Sequence, residues 1–333
     1  MYDHFIALDW AQSNMAIARM TRASNKVQVI NVPASIKEMK VYLEQIKGKK
    51  ILTFEETTPA QWLYTELKSY VDEIIVCDPY RNHLLQEGPK TDKIDATKLV
   101  RLLKGGLLKA VYHTAEEFIY LRNIVSGYED IVKAGVRLKN ERAALLRSQG
   151  KLKNEKELDQ PSLKFVLDGI DRGIESYEKE KARYENEFSR LRKTHKMLSH
   201  LTSIPGIGEI NAVKIAARVV DPKRFTDKGH LWSYCGLVKL DRVSGGRSYG
   251  KKSSRFCRVL KSVFKTASMT VINGNTNHPL KNYYNDLIEK GGYAKHNARN
   301  AVARRICVLA WGVMKGGKKY DSNWKLMKCK KIA

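Results

Sequence analysis

The chain has 333 residues, of which 61 are lysine or arginine and 35 aspartate or glutamate, giving a formal net charge of +26 with 43% apolar residues. That length accommodates two or three domains with cores of their own, and that apolar share excludes a disordered tail. The longest clean apolar run, Ile306 to Val313, falls far short of the ~18–20 residues that cross a bilayer. The opening Met-Tyr-Asp-His lacks the basic and apolar regions of a secretory signal. Five scattered cysteines (Cys77, Cys235, Cys257, Cys307 and Cys329) include no C-x-x-C pair, which argues against a disulfide scaffold and a cysteine zinc site. The chain reads as cytoplasmic and reduced.

Three apolar stretches come first: Phe5 to Leu8, ending in Asp9; Met15 to Met20; and Val27 to Val32. Turn residues separate them, which predicts a three-stranded antiparallel meander. A helix is expected over about 35–47, then a strand from Ile51 to Phe54 that ends in Glu55. Pro59 opens a helix to about Tyr70, and Ile74 to Cys77 forms a further buried strand. Two short helices should follow, the second starting near Thr91. The order β-β-β-α-β-α-β-α is the ribonuclease H pattern, a mixed sheet with helices on its faces.

Residues 114–200 read differently. Ile124, Ile131, Leu138 and Leu145 recur every seven residues. Leu167, Ile170, Ile174, Tyr177, Lys181, Tyr184, Phe188 and Leu191 follow an alternating three-four spacing. Both predict coiled-coil seams, and polar Ser148 to Pro161, with the breaker Gly150, reads as the tip of a helical hairpin. The hairpin serves either as a dimerisation arm or as a spacer packing on itself. Beyond it, Ile204-Pro205-Gly206-Ile207-Gly208 reads as the turn of a helix-hairpin-helix, whose Gly206 and Gly208 let backbone N–H groups approach a phosphate. The alternative is an ordinary glycine-rich helix connection.

The charge is unevenly spread. Residues 1–100 carry 13 basic and 13 acidic side chains, 101–200 carry 21 and 15, and 201–333 carry 27 and 7. A polycationic last third points to a polyanion, above all nucleic acid, and no basic amphipathic helix at either end suggests a membrane surface. The neutral first third holds the acidic constellation. Asp9 and Glu55 end apolar strands, and Asp92 and Asp95, three apart, open a helix on one face. In a ribonuclease H sheet these ends converge, and converging carboxylates call for hard cations such as Mg²⁺. Read singly, Asp9 ends a strand and Asp92 caps a helix. Glu56 competes with Glu55, although strand alternation turns one of them away.

A second constellation runs from Arg242 to Ser253. Ser244 lies in a glycine-flanked loop and is a candidate nucleophile on phosphate, with Ser248 and Ser253 behind it. Arg242, Arg247, Lys251, Lys252 and Arg255 supply cations for nucleic acid. The plainer reading is a flexible DNA-contacting loop. Gly245 to Lys251 nearly matches a Walker A loop, but Lys252 stands where Ser or Thr belongs and no apolar strand leads in, so an ATPase is rejected. His4, His83, His113 and His230 have no metal-ligand spacing and read as surface or packed residues. Trp232, Tyr234, Tyr283 and Tyr284 read as core rather than base-stacking groups.

Taken together, these pieces resemble the DEDD transposases of the IS-one-ten type insertion sequences, a family that includes the Piv-like DNA invertases. The resemblance rests on Phe5-Ile6-Ala7-Leu8-Asp9-Trp10, Phe54-Glu55-Glu56-Thr57-Thr58 and Lys90-Thr91-Asp92-Lys93-Ile94-Asp95-Ala96. Further along it rests on Ile204 to Gly208, Tyr234-Cys235-Gly236-Leu237 and Ser244-Gly245. It implies a RuvC-like catalytic domain over 1–110, a coiled coil over 111–200 and a mainly α-helical C-terminal transposase domain over 201–333. It also implies an Mg²⁺-binding tetrad of Asp9, Glu55, Asp92 and Asp95, with Ser244 as nucleophile leaving a phosphoserine. The implied partners are element-end and target DNA, a structured guide RNA (the bridge RNA) pairing with both DNAs, and further copies of the chain through the coiled coil. The implied setting is the nucleoid of a bacterial or archaeal cell. The chain departs from the family where Glu56-Thr57-Thr58 replaces Ala-Thr-Gly, and where Val238-Lys239 replaces a proline after Gly-Leu. Two rivals are a RuvC-like nuclease of junctions or RNA that uses water, and a non-catalytic nucleic-acid-binding protein.

Overall fold

The first strand, β1 (His4–Trp10), is central in its sheet, which explains why Ile6, Ala7 and Leu8 are all fully buried although they point alternately to opposite faces. A computed structural model describes residues 1–80, 91–113, 117–151, 158, 160–275 and 278–321, and the chain divides into two compact units, Met1–Glu116 and Glu117–Ala333.

In the first unit β1 is followed by β2 (Asn14–Thr21), β3 (Gln28–Pro33), α1 (Ile36–Gln45), β4 (Lys50–Glu55), α2 (Ala60–Leu67), β5 (Glu73–Cys77) and α3 (Asp92–Lys104). The expected order of elements is present. The strands lie in the order β3-β2-β1-β4-β5, antiparallel across the meander and parallel for β1–β4 and β4–β5. Ile6, Leu8, Leu52 and Phe54 face α1 and α2, where Met39, Leu43, Leu63 and Leu67 meet them. On the other face Ala7, Ala16 and Ala18 are small, so α3 settles close through Ala96, Leu99 and Val100. Ser35 caps α1 by accepting from the Glu38 N–H, and Thr91 caps α3 by accepting from Ile94. Residues 109–111 extend the sheet irregularly beyond β5: the Asp78 N–H donates to Lys109 O at 2.9 Å and the Val111 N–H to Val76 O at 2.7 Å. The first of the two short helices expected before Thr91, together with His83, Cys329 and part of the hairpin tip, lies outside the described residues.

The second unit begins with two long antiparallel helices, α4 (Glu117–Ser148) and α5 (Pro161–Thr194). The breaks at Ser148 and Pro161 fall where the polar stretch places them. The predicted heptad of α4 runs along α5 as a half-buried row: Leu138 meets Gly173, and Ile124 and Leu145 pack against buried clusters. Ile124, Ile131, Leu138 and Leu145 are half-buried, while Leu121, Val125, Tyr128 and Leu146 are buried. Gly127 and Gly135 leave room for Tyr184 and Tyr177 of α5, and a Cβ would overlap the Tyr184 hydroxyl at the first and the Tyr177 ring at the second. Ion pairs Lys139–Glu178 (2.5 Å) and Arg142–Asp171 (2.6 Å) take the seam toward the tip.

The remaining elements are α6 (Lys196–Leu201), α7 (Glu209–Val219), α8 (Lys228–Tyr234), β6 (Leu240–Ser244), β7 (Arg247–Lys252), α9 (Arg258–Asn273), α10 (Pro279–Glu289) and α11 (Lys295–Gly316). Leu121, Val125, Tyr128, Phe188 and Leu191 at the base of the long hairpin belong to one core with α7, α9 and α11. Lys214–Glu129 (3.2 Å) and the bond from Arg122 Nε to Ala217 O (3.2 Å) tie α7 to α4. Among the described residues no helix is long and apolar enough to cross a membrane.

Candidate active site

Ala7 of β1 lies opposite Thr53 of β4, so two residues further on Asp9 and Glu55 end neighbouring parallel strands on one face, the face that α3 covers. Asp92 and Asp95 occupy the first turn of α3. All four acidic residues thus meet the carboxyl edge of the parallel strands from the same side. The electrostatics show the crowding. Asp9 is pushed up from 3.8 to about 6, first by burial and then by the charges of Asp92 and Asp95. On β5, opposite Glu55, the Cys77 thiol is pushed up to about 12 by burial and by Glu55.

Asp95 Oδ1 is buried and accepts no hydrogen bond; the Lys98 ammonium stands 3.7 Å away, outside hydrogen-bonding reach. A buried carboxylate oxygen without a donor, beside a second carboxyl that burial and its neighbours make hard to ionise, suits a small divalent cation held by oxygen ligands. Among the described residues, however, no three acidic, histidine or cysteine side chains already stand at metal-binding separations. The residue types fit the ion; the carboxylates lie apart from a closed coordination shell.

Glu56 points to the other face. Its N–H donates to Cys77 O (2.9 Å), and its carboxylate lies 2.5 Å from His113 Nε2. His113 Nδ1 is 3.1 Å from Gln61 Oε1, and the ring packs against Tyr64 with centroids 5.4 Å apart. Nothing in the sequence pairs His113 with Glu56, which are 57 residues apart.

In the second unit the two glycines of the Pro205–Gly208 turn separate. Gly206 has φ +82°, and a Cβ there would overlap the carbonyl of Ala267 in α9, so its smallness serves helix packing. Gly208 is exposed, caps α7 without a side chain and has open space around it, leaving the first amides of α7 accessible. Glu209 in that first turn is paired with Arg192 at 2.5 Å.

Ser244 does not lie in a loop. It ends β6 of a two-stranded antiparallel ribbon and pairs with Arg247 across the turn Gly245-Gly246, whose φ values of +55° and +76° are those of a two-residue hairpin turn. Gly-Gly between two short runs is the signal that marks it, masked here because the strands are polar. Every residue of both strands is exposed. Arg242, Arg247, Lys251 and Lys252 lie on the ribbon, Arg255 is exposed just beyond it, and Lys251 stands 3.9 Å from Asp241. Ser248 accepts from the Gly250 N–H at 3.4 Å, and Ser253 is exposed past the end of β7. The aromatics behave as core: Tyr284 is buried, Tyr283 is half-buried against the same core, and Trp232 and Tyr234 donate to Arg304 O and Arg218 O.

With the geometry established, the comparisons agree in kind. Residues 6–149 match a transposase family of the DEDD, IS110 type, and residues 198–285 match the family "Transposase IS116/IS110/IS902". The first match takes in all four acidic residues, and the second takes in the glycine turn and the ribbon. The chain is 24% identical over 162 residues to a Streptomyces coelicolor protein described as "Insertion element IS110 uncharacterized 43.6 kDa protein". That stretch is 48% of this chain and 39% of the relative, so the chain matches well under half of the relative's length. The two family matches together span more than half of the sequence and agree on one type: the chain belongs to the IS110-type DEDD transposases.

Proposed function

We propose that the protein is a transposase that cuts and exchanges the DNA strands of an insertion sequence through a covalent serine–DNA intermediate. The observation that carries this reading is the acidic edge of the first unit, where Asp9 is pushed up to about 6 by burial and by Asp92 and Asp95. Asp9, Glu55, Asp92 and Asp95 would hold Mg²⁺, which when bound neutralises the carboxylates and stabilises charge on the scissile phosphate. Ser244 Oγ attacks phosphorus; the P–Oγ bond forms, the P–O3′ bond breaks, and the 3′ oxygen takes a proton. A phosphoserine remains on the 5′ end. Attack by another strand's 3′ hydroxyl reverses these changes and frees the serine, so one phosphodiester is exchanged for another without ATP.

Arg242, Arg247, Lys251, Lys252 and Arg255 hold the phosphate backbone around Ser244, and Gly208 offers the α7 amides to a further phosphate. Target choice belongs to the guide RNA, with the protein reading backbone and shape. The α4–α5 hairpin joins copies of the chain, so that one copy's serine meets another's carboxylates on nucleoid-associated DNA in the cytoplasm.

Incubation with element-end DNA, its RNA and Mg²⁺, resolved on a denaturing gel, tests this. The wild type forms a protein–DNA adduct and Ser244→Ala does not; cleavage by Ser244→Ala at the wild-type rate would establish a nuclease that uses water. Mixing Asp9→Ala with Ser244→Ala restores adducts if the site is shared between copies.

A further inference from the structure

Glu55 and Glu56 are consecutive and chemically identical at the end of β4, and only strand parity distinguishes them. A slip of one residue would exchange them between faces. The ladder ends at that point, with the Glu56 N–H donating its last bond to Cys77 O at 2.9 Å and residues 56–58 exposed beyond it. A separate restraint begins here. The Glu56 carboxylate meets His113 Nε2 at 2.5 Å, in a pair whose histidine side chain is only 4% exposed. His113 is seated in turn by Gln61 (3.1 Å) and Tyr64. Its backbone approach is anchored by the bonds of residues 109 and 111 to β5.

We propose that His113 is a positioning residue that locks the register of β4, so that Glu55 and not Glu56 is presented to the acidic face. The inference rests on the metal assignment given above. His113 touches no reacting atom. It fastens Glu56 to the α1–α2 face and so fixes the peptide between the two glutamates. The clasp spans the sheet edge: residues 109–111 run along the end of β5, and the His113 side chain reaches the Glu56 carboxylate at the end of β4.

The test uses the full chain and Mn²⁺ as probe, with affinity read by electron paramagnetic resonance of the free ion. His113→Ala is expected to weaken Mn²⁺ binding about tenfold or more, the usual cost of losing a group that orients a ligand. Glu56→Ala should weaken it similarly, and His113→Gln, which keeps a donor toward Glu56, should recover most of the loss. Should His113→Ala fail to fold, as judged by circular dichroism, Glu56→Ala and His113→Gln carry the comparison. Wild-type affinity in folded His113→Ala or Glu56→Ala overturns the proposal, as does a His113→Gln protein no better than a folded alanine variant. If wild-type binding is abolished by Asp92→Asn yet indifferent to His113, the clasp alone is wrong. If the wild type binds no Mn²⁺ through Asp92, the metal assignment is wrong and the clasp is overturned with it.

Discussion

Replacing Asp9 by asparagine should stabilise the first unit near neutral pH. In the folded protein the carboxyl titrates at about 6 instead of 3.8, because burial and then Asp92 and Asp95 oppose its ionisation. Between those values the native state binds a proton that the unfolded chain has released, so stability falls as pH rises through the window and is lowest above it. For an enclosed group that displacement corresponds to about 3 kcal/mol. Asp9 is only half-buried, and water's screening reduces the figure to about 1–2 kcal/mol. Asp9→Asn removes the charge while keeping the shape, so at pH 7.5 it should gain about that amount, roughly 4–10 °C in a unit of this size. At pH 4, where the native aspartate is already protonated, the gain should nearly vanish. Hydrogen–deuterium exchange of the β1 and β4 amides reads this unit separately from the other. Added Mg²⁺ should stabilise the wild type and do little for the variant. A variant less stable than wild type at pH 7.5, or equally shifted at both pH values, would refute the crowding of charge at this edge.

The two glycines of the Pro205–Gly208 turn should respond differently. Gly206→Ala combines a left-handed backbone with overlap on the Ala267 carbonyl, at about 2–5 kcal/mol in urea denaturation, whereas Gly208→Ala should cost less than about 1 kcal/mol and show mainly in weaker nucleic-acid binding. Equal losses would mean that the packing role of Gly206 is wrong. Gly135→Ala should destabilise the long hairpin by about 1–2 kcal/mol despite alanine's better helix propensity, because the methyl meets the Tyr177 ring. A double-mutant cycle with Tyr177→Leu should recover part of that loss. Binding to DNA should weaken steeply with salt, and Arg247→Ala or Lys252→Ala should each reduce the slope of log K against log salt by about 1; an unchanged slope would remove these side chains from the interface.

Much of the first unit was legible because its signals are local. Apolar runs ending in Asp9 and Glu55 announce strand ends, and Thr91 followed by Asp92 and Asp95 announces a capped, acidic helix start. The residue-by-residue outcome for Glu56 was not legible, because its partner His113 reaches it through tertiary folding. The α4 seam was legible only in part. The heptad of Ile124, Ile131, Leu138 and Leu145 lies along α5, but the fuller burial of Leu121, Val125 and Tyr128 comes from α7, α9 and α11, which the spacing does not announce. The ribbon was missed because exposed strands carry no inside-outside alternation to read.

That ribbon differs from everything around it in what constrains its sequence. Beyond the backbone ladder and the glycine turn, no side chain of Leu240–Ser244 or Arg247–Lys252 is buried. Packing therefore sets no limit on its composition, and the core of α7, α9 and α11 is indifferent to what it carries. The ribbon's exposed positions other than Ser244 can therefore be changed to suit a ligand without repacking the helices beneath. Exchanging only the exposed strand residues around Ser244, and keeping buried Leu237 and the Ser254 that bonds Ser233, offers a route to new binding behaviour that leaves the folding of the unit untouched.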